Sequence, residues 1–117
     1  MHKEFIMNQG AKEIIYPVTD IAQAKAQFSK LLGVEPFVDS PYYVGFMVGG
    51  QQIGLDPNGH RHGATAYYQV DDLRASLNAL LEAGAETIQD VRDVGHGKLV
   101  ASVKDASGNI IGLFQMP

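Results

Sequence analysis

The feature that most constrains this chain is that its first half recurs in its second. Val18-Thr19-Asp20-Ile21 is answered by Val70-Asp71-Asp72-Leu73, and Ile53-Gly54-Leu55 is answered by Ile111-Gly112-Leu113. Each Ile-Gly-Leu triplet follows a glycine, Gly50 or Gly108, by the same distance. A repeat of about 50 residues is the size of one supersecondary unit. One such unit cannot cover both faces of its own sheet, so the two copies are expected to pair into a single domain.

Within each copy the order of elements is strand, helix and three strands. Residues 12–18, KEIIYPV, are β-branched and aromatic enough for a strand, with Pro17 confined to an edge or an end. Thr19 or Asp20 offers an N-cap oxygen to a helix that carries Ile21, Ala24, Phe28, Leu31 and Leu32 on one face, and Gly33 suits its left-handed C-terminal cap. Extended runs follow at Val34–Val38, Tyr42–Val48 and Gln51–Leu55, divided by Ser40-Pro41 and Gly49-Gly50. After a polar loop, Asp56–Gly63, the order restarts. Ala64–Val70 is a strand, and Asp71 or Asp72 caps a helix with Leu73, Leu77, Leu80 and Leu81 that ends at Gly84. Runs at Glu86–Val91, Gly97–Val103 and Asn109–Gln115 complete it. The expected organisation is a loose tail over residues 1–10 and a single α+β domain of two βαβββ modules, about 11–58 and 62–117.

Composition removes whole classes of chemistry. The 117 residues contain no cysteine, which excludes a disulfide scaffold, a thiolate zinc site, an iron–sulfur cluster and a cysteine nucleophile. The formal charge is −4 and no basic stripe is visible, so nucleic acid is not an expected partner. No apolar run approaches the length of a membrane span, and MHKEFIMNQG is too polar and too short for a secretory segment. The expectation is a cytoplasmic protein with no membrane partner. There is no G-x-S-x-G elbow, no P-loop and no G-x-G-x-x-G after a strand, so no nucleotide cofactor is expected.

The runs V-T-D-I-A-Q-A-K-A-Q-F-S-K-L-L-G-V at 18–34, Y-Q-V-D-D-L at 68–73 and D-A-S-G-N-I-I-G-L at 105–113 together resemble the vicinal oxygen chelate superfamily of glyoxalases, bleomycin-resistance proteins and extradiol dioxygenases. The resemblance covers residues 11–117. It implies two βαβββ modules whose sheets combine into a curved, half-open mixed sheet with helices outside. It further implies a homodimer, and a funnel holding a divalent metal or a flat organic ligand. In metal-dependent members each module supplies one ligand from its first strand and one from its last. By that pattern the four positions here are Glu13, Thr65, Gly54 and Gly112. One carboxylate is left of four donors, and a lone Glu does not hold a divalent ion against water. The resemblance therefore implies a member without the shared metal site, with no cofactor assigned and enzymatic activity left open.

Strand parity extends the candidate site. If Glu13 faces the funnel, so do Ile15 and Pro17, and the equivalent set in the second module is Thr65, Tyr67 and Gln69. Glu13 has two readings, a lone acid facing the cavity or a solvated residue at the strand start. Gly54 and Gly112 either open space at the funnel floor or mark a bend or bulge. Tyr42, Tyr43, Phe46 and Met47 add aromatic and sulfur surface at the rim, with the parity of their strand undecided; Phe46 is counted among the ligand-binding candidates. His96, in V-G-H-G, is a candidate lip residue, and is otherwise plain turn surface. His60 and His62 form an H-x-H pair in a loop with no enforced geometry, and His2 lies in the tail. Three functions fit: a metal-free binder of a small, partly aromatic molecule, a metal-dependent lyase, epimerase or dioxygenase, and a protein-docking module.

Overall fold

The computed structural model describes residues 8–58 and 63–117. His2, His60 and His62 lie outside the described residues. Among those described, the chain forms two βαβββ modules, as the repeat implies. The first contains β1 (Asn8–Pro17), α1 (Ile21–Leu32), β2 (Val38–Asp39), β3 (Val44–Val48) and β4 (Gln51–Asp56). The second contains β5 (Thr65–Val70), α2 (Leu73–Glu82), β6 (Glu86–Asp93), β7 (Leu99–Lys104) and β8 (Ile110–Gln115). By compactness the chain divides into Lys12–Ala66 and Tyr67–Pro117, the described residues 8–11 grouping with the latter.

The two modules share one topology. In the first, β4 runs parallel to β1 and antiparallel to β3, which pairs with β2. In the second, β8 runs parallel to β5 and antiparallel to β7, which pairs with β6. Each helix starts on an aspartate whose carboxylate accepts a backbone N–H three residues on: Asp20 from Gln23 and Asp72 from Ala75, both at 3.0 Å. Gly33 ends α1 at φ 72°, a conformation a side chain rarely adopts.

Each helix covers one face of its own module's sheet. In the first, Ala24, Val44, Phe46, Ile53 and Leu55 are buried together, with Ile14, Tyr16, Val18, Ile21, Phe28 and Leu32 packed on them. The Tyr16 and Phe28 rings sit 5.0 Å apart. In the second, Val70, Leu73, Leu77, Ala101, Val103 and Leu113 form the core, joined by Tyr68, Leu80 and Ile111. Ile14, Tyr16 and Val18, like Tyr68 and Val70, thus lie on the helix side, where strand parity puts them.

The structure departs from the sequence reading in several places. β1 begins at Asn8, inside the expected tail, where Gly10 N–H donates to the Asn8 side-chain oxygen at 2.7 Å. β2 is only two residues long: Pro36 has no N–H to give a ladder, and the chain joins β3 by Phe37 N–H to the Gly45 carbonyl at 2.9 Å. β6 extends to Asp93, and its register with β7 shifts between Thr87 and Gln89 and between Gln89 and Arg92.

Candidate functional site

The face of each sheet turned away from its helix carries the candidate residues, and the two modules build it in the same way. In the first module, β-ladder register sets Ile15 beside Gly54 and Gly54 beside Gly45, making one row across β1, β4 and β3. In the second, Tyr67 stands beside Gly112 and Gly112 beside Ser102, the equivalent row across β5, β8 and β7. Neither ladder shifts register at its glycine, so neither glycine marks a bulge.

Nor do the glycines leave open space. A methyl group on Gly54 would collide with the Tyr43 hydroxyl, and would lie 2.8 Å from Tyr43 Cε1 and 2.7 Å from Ile15 Cδ1. One on Gly112 would lie 2.5 Å from Tyr67 Cγ and 2.6 Å from Tyr67 Cε2. Each glycine is therefore the seat of a tyrosine ring from its own module. The expectation of a bare floor is corrected accordingly: the absent Cβ admits an aromatic ring from within the module. A methyl on Gly45 would likewise meet Tyr43 Cε2 at 3.1 Å and Phe37 Cε1 at 3.3 Å, so two rings share that spot.

Around Tyr43 the face is polar. Gln52, one same-face step along β4 from Gly54, donates from Nε2 to the Tyr43 hydroxyl at 2.8 Å. Glu13 pairs in register with Gln52 and is 8% exposed, so it is not a solvated strand-start residue. Burial pushes the Tyr43 phenol above its ordinary pKa against the opposing pull of the Gln52 hydrogen bond, and the negative charges of Glu13 and Asp56 push it further up. The phenol is thus neutral across the physiological range.

In the second module Phe114 lies on the same face as Gly112, 3% exposed, with Lys98 Nζ 4.7 Å above its ring centre. Gln69 stands beside Phe114 in register and is half-buried. Thr65, at the head of β5, is 1% exposed.

One expected site residue falls elsewhere, and His96 lies in a turn. Phe46 is fully buried in the first module's core, on the helix side, because β3 points Val44 and Phe46 inward and Gly45 and Met47 to the opposite face. His96 is exposed in the turn between β6 and β7, at φ 56° between Gly95 and Gly97. In return, the structure adds Gln52, Phe37, Ser102 and Phe114. Counting in twos from Gly54 and Gly112 reaches Gln52 and Phe114. Phe37 precedes its strand and carries no such signal.

Of the four donor positions that the resemblance implies, Gly54 and Gly112 carry no side chain and tyrosine rings occupy the volume over both. Among the described residues no group of three or more His, Asp or Glu is placed to hold a metal ion. The described residues do not fit a chelated divalent cation at the two glycines. Among the described residues, too, no helix is long and apolar enough to cross a membrane.

A two-module α+β fold of this kind defines a class, and comparison with known proteins names it. The profile of the Glyoxalase/Bleomycin resistance protein/Dioxygenase superfamily matches residues 10–113, and the chain belongs to that superfamily. No curated protein matches it in sequence. Among solved structures it resembles a superfamily member from Vibrio splendidus 12B01, with TM-score 0.72, 15% identity, and coverage of 93% of this chain and 98% of that one. It resembles methylmalonyl-CoA epimerase from Mycobacterium tuberculosis with TM-score 0.70, 19% identity and coverage of 94% and 89%. It also resembles the Mn(II)-bound glyoxalase from Novosphingobium aromaticivorans, with TM-score 0.67, 15% identity and coverage of 93% of this chain and 40% of that one. At these identities the likeness is one of fold.

Proposed function

We propose that this protein binds a small, partly aromatic organic molecule on the sheet faces that carry Gly54 and Gly112, without a metal ion. The observation that carries the reading is a tyrosine ring seated on a glycine in each module. Aromatic side chains with a few polar groups are the lining that flat organic ligands need. On the first module's face the proposed contacts are Glu13, Ile15 and Tyr43 with Gly54 as ring seat, and on the second module's face they are Thr65, Tyr67 and Gln69 with Gly112 as ring seat. The reading includes a homodimer acting in the cytoplasm.

A thermal-shift panel of flat organic compounds, run with and without Mn(II), Zn(II) and Ni(II), tests it. A ligand that binds only the folded state raises the midpoint by mass action. The expected result is stabilisation by one or more compounds that a chelator does not abolish. A stoichiometric divalent ion in the purified protein, with stabilisation that depends on it, would replace this reading with a metal-dependent enzyme.

A further inference from the structure

A buried polar side chain on the second module's face has no partner among the described residues. Ser102 stands beside Gly112 on β8 and beside Gln89 on β6. Its neighbours Ala101 and Val103 pack into the core with Leu73 and Leu77 of α2. Alternation therefore turns Ser102 to the opposite face, the one on which the Tyr67 ring lies over Gly112. Ser102 is 5% exposed, and among the described residues none forms a hydrogen bond with its hydroxyl. Gln89, beside it in register, instead donates from Nε2 to the Asp90 carbonyl at 3.3 Å. An unpaired hydroxyl at such a site costs free energy that an alanine there would not. Ser76 on α2 is the useful contrast. Its Oγ is also unpaired, and it is sealed away from solvent. Ser102 Oγ is not sealed in this way, so what little of the residue is exposed includes its hydroxyl. The row is open outward as well, since Gln89 is exposed and Tyr67 is half-buried. An aromatic ring and an unsatisfied hydroxyl thus belong to one accessible row.

We propose that Ser102 is the hydrogen-bonding anchor of the second module's face, and that the ligand it holds bears a hydroxyl or carbonyl oxygen on a flat aromatic ring. The inference rests on the function proposed above and names the substituent that its ligand carries. A serine hydroxyl both donates and accepts, so either kind of oxygen satisfies it. A site with a polar group to satisfy discriminates against a ligand that leaves it unpaired, which an apolar wall does not do. The Tyr67 ring, seated on Gly112, supplies aromatic surface in the same row.

Two flat probes of similar size, 2-naphthol and 2-methylnaphthalene, test it by equilibrium dialysis against the full-length protein at neutral pH, where both are uncharged. The methyl compound is the more apolar, so the decisive quantity is the ratio of the two affinities and how Ser102→Ala changes it. Ser102→Ala should weaken 2-naphthol about three- to tenfold, the worth of one hydrogen bond, and leave 2-methylnaphthalene within about twofold. Ser76→Ala, which removes the sealed hydroxyl, should leave the ratio unchanged. Urea unfolding supplies an independent readout. Ser102→Ala should be as stable as the unsubstituted protein or more so, because no internal hydrogen bond is lost. A clear loss of stability in Ser102→Ala shows that the hydroxyl is satisfied within the protein and overturns the anchor. A ratio that Ser102→Ala leaves unchanged, or that Ser76→Ala or Tyr43→Phe lowers as much, overturns it as well and leaves the proposed function standing. So does failure of both probes where other flat compounds stabilise the protein. Failure of every flat compound, with and without divalent metal, overturns the proposed function together with the inference.

Discussion

Substitution of Gly112 by alanine isolates the central feature of this structure, a ring seated on bare backbone. The new Cβ would stand 2.5 Å from Tyr67 Cγ, where ordinary contact begins near 3.4 Å. The ring must retreat by roughly an ångström, about a third of a normal contact distance. Cγ is one bond from the Tyr67 Cβ, so retreat demands an off-rotamer χ1 or a strand shift. Overpacking of this kind costs about 1–3 kcal/mol. The backbone at Gly112 is outside the left-handed region, so alanine also reduces unfolded-state entropy there, worth about 0.4–1 kcal/mol of stabilisation. The net expectation for Gly112→Ala is a loss of about 1–2 kcal/mol, read from urea unfolding followed by circular dichroism at unchanged m-value. In a Tyr67→Ala background the same substitution should be neutral or stabilising, giving a coupling of about 1–3 kcal/mol. Gly54→Ala should cost less, because the atoms it meets, the Tyr43 hydroxyl and Cε1 and Ile15 Cδ1, lie at the far ends of side chains. Equal stability of Gly112→Ala and the unsubstituted protein, or a loss that persists without the Tyr67 ring, would refute the ring-seat argument.

Three further predictions follow from other parts of the fold. Phe46→Ala removes a fully buried ring from the first module's core and should cost about 3–5 kcal/mol in the same unfolding assay. Phe46→Leu should recover most of that loss with ligand affinity unchanged. Asp20→Ala and Asp72→Ala each delete one N-cap acceptor and should each cost about 0.5–2 kcal/mol, by similar amounts, because the two caps have the same geometry. The raised Tyr43 pKa makes its neutral form the one the fold favours, so its contribution is complete below the ordinary tyrosine value near about 10 and is lost as pH rises through the higher folded value. Urea midpoints measured upward from about pH 9 should fall for the unsubstituted protein and fall less for Tyr43→Phe.

Much of this protein is legible in the sequence because it is written locally and twice. The two V-x-D motifs fix the helix starts, since an aspartate before an apolar periodic run has a backbone N–H to satisfy. Alternation then assigns each strand residue to one face, and Ile14, Tyr16, Tyr68 and Val70 lie where parity puts them. The repeat fixes the order of elements, and the lack of side chains at Gly54 and Gly112 can be read by position alone.

Only the tertiary structure decided what lies over the glycines. A sequence states that Gly54 has no side chain but not that Tyr43 fills the vacated volume. Tyr43 precedes β3 and reaches Gly54 on β4 through the pairing of Gly45 with Gly54. The parity of β3 was undecided for a related reason: Val44-Gly45-Phe46-Met47 is apolar at consecutive positions, so alternation gives no signal, and the packing of α1 chose Phe46 for the core. Glu13 shows the same limit. Beside an aperiodic polar tail a carboxylate reads as solvated, whereas in the folded protein Glu13 is only 8% exposed. Local propensity and periodicity act over a few residues, whereas burial and ring contacts are set by partners distant in sequence. The scaffold was therefore open to reading from the chain, and the chemistry of its exposed faces was fixed by folding.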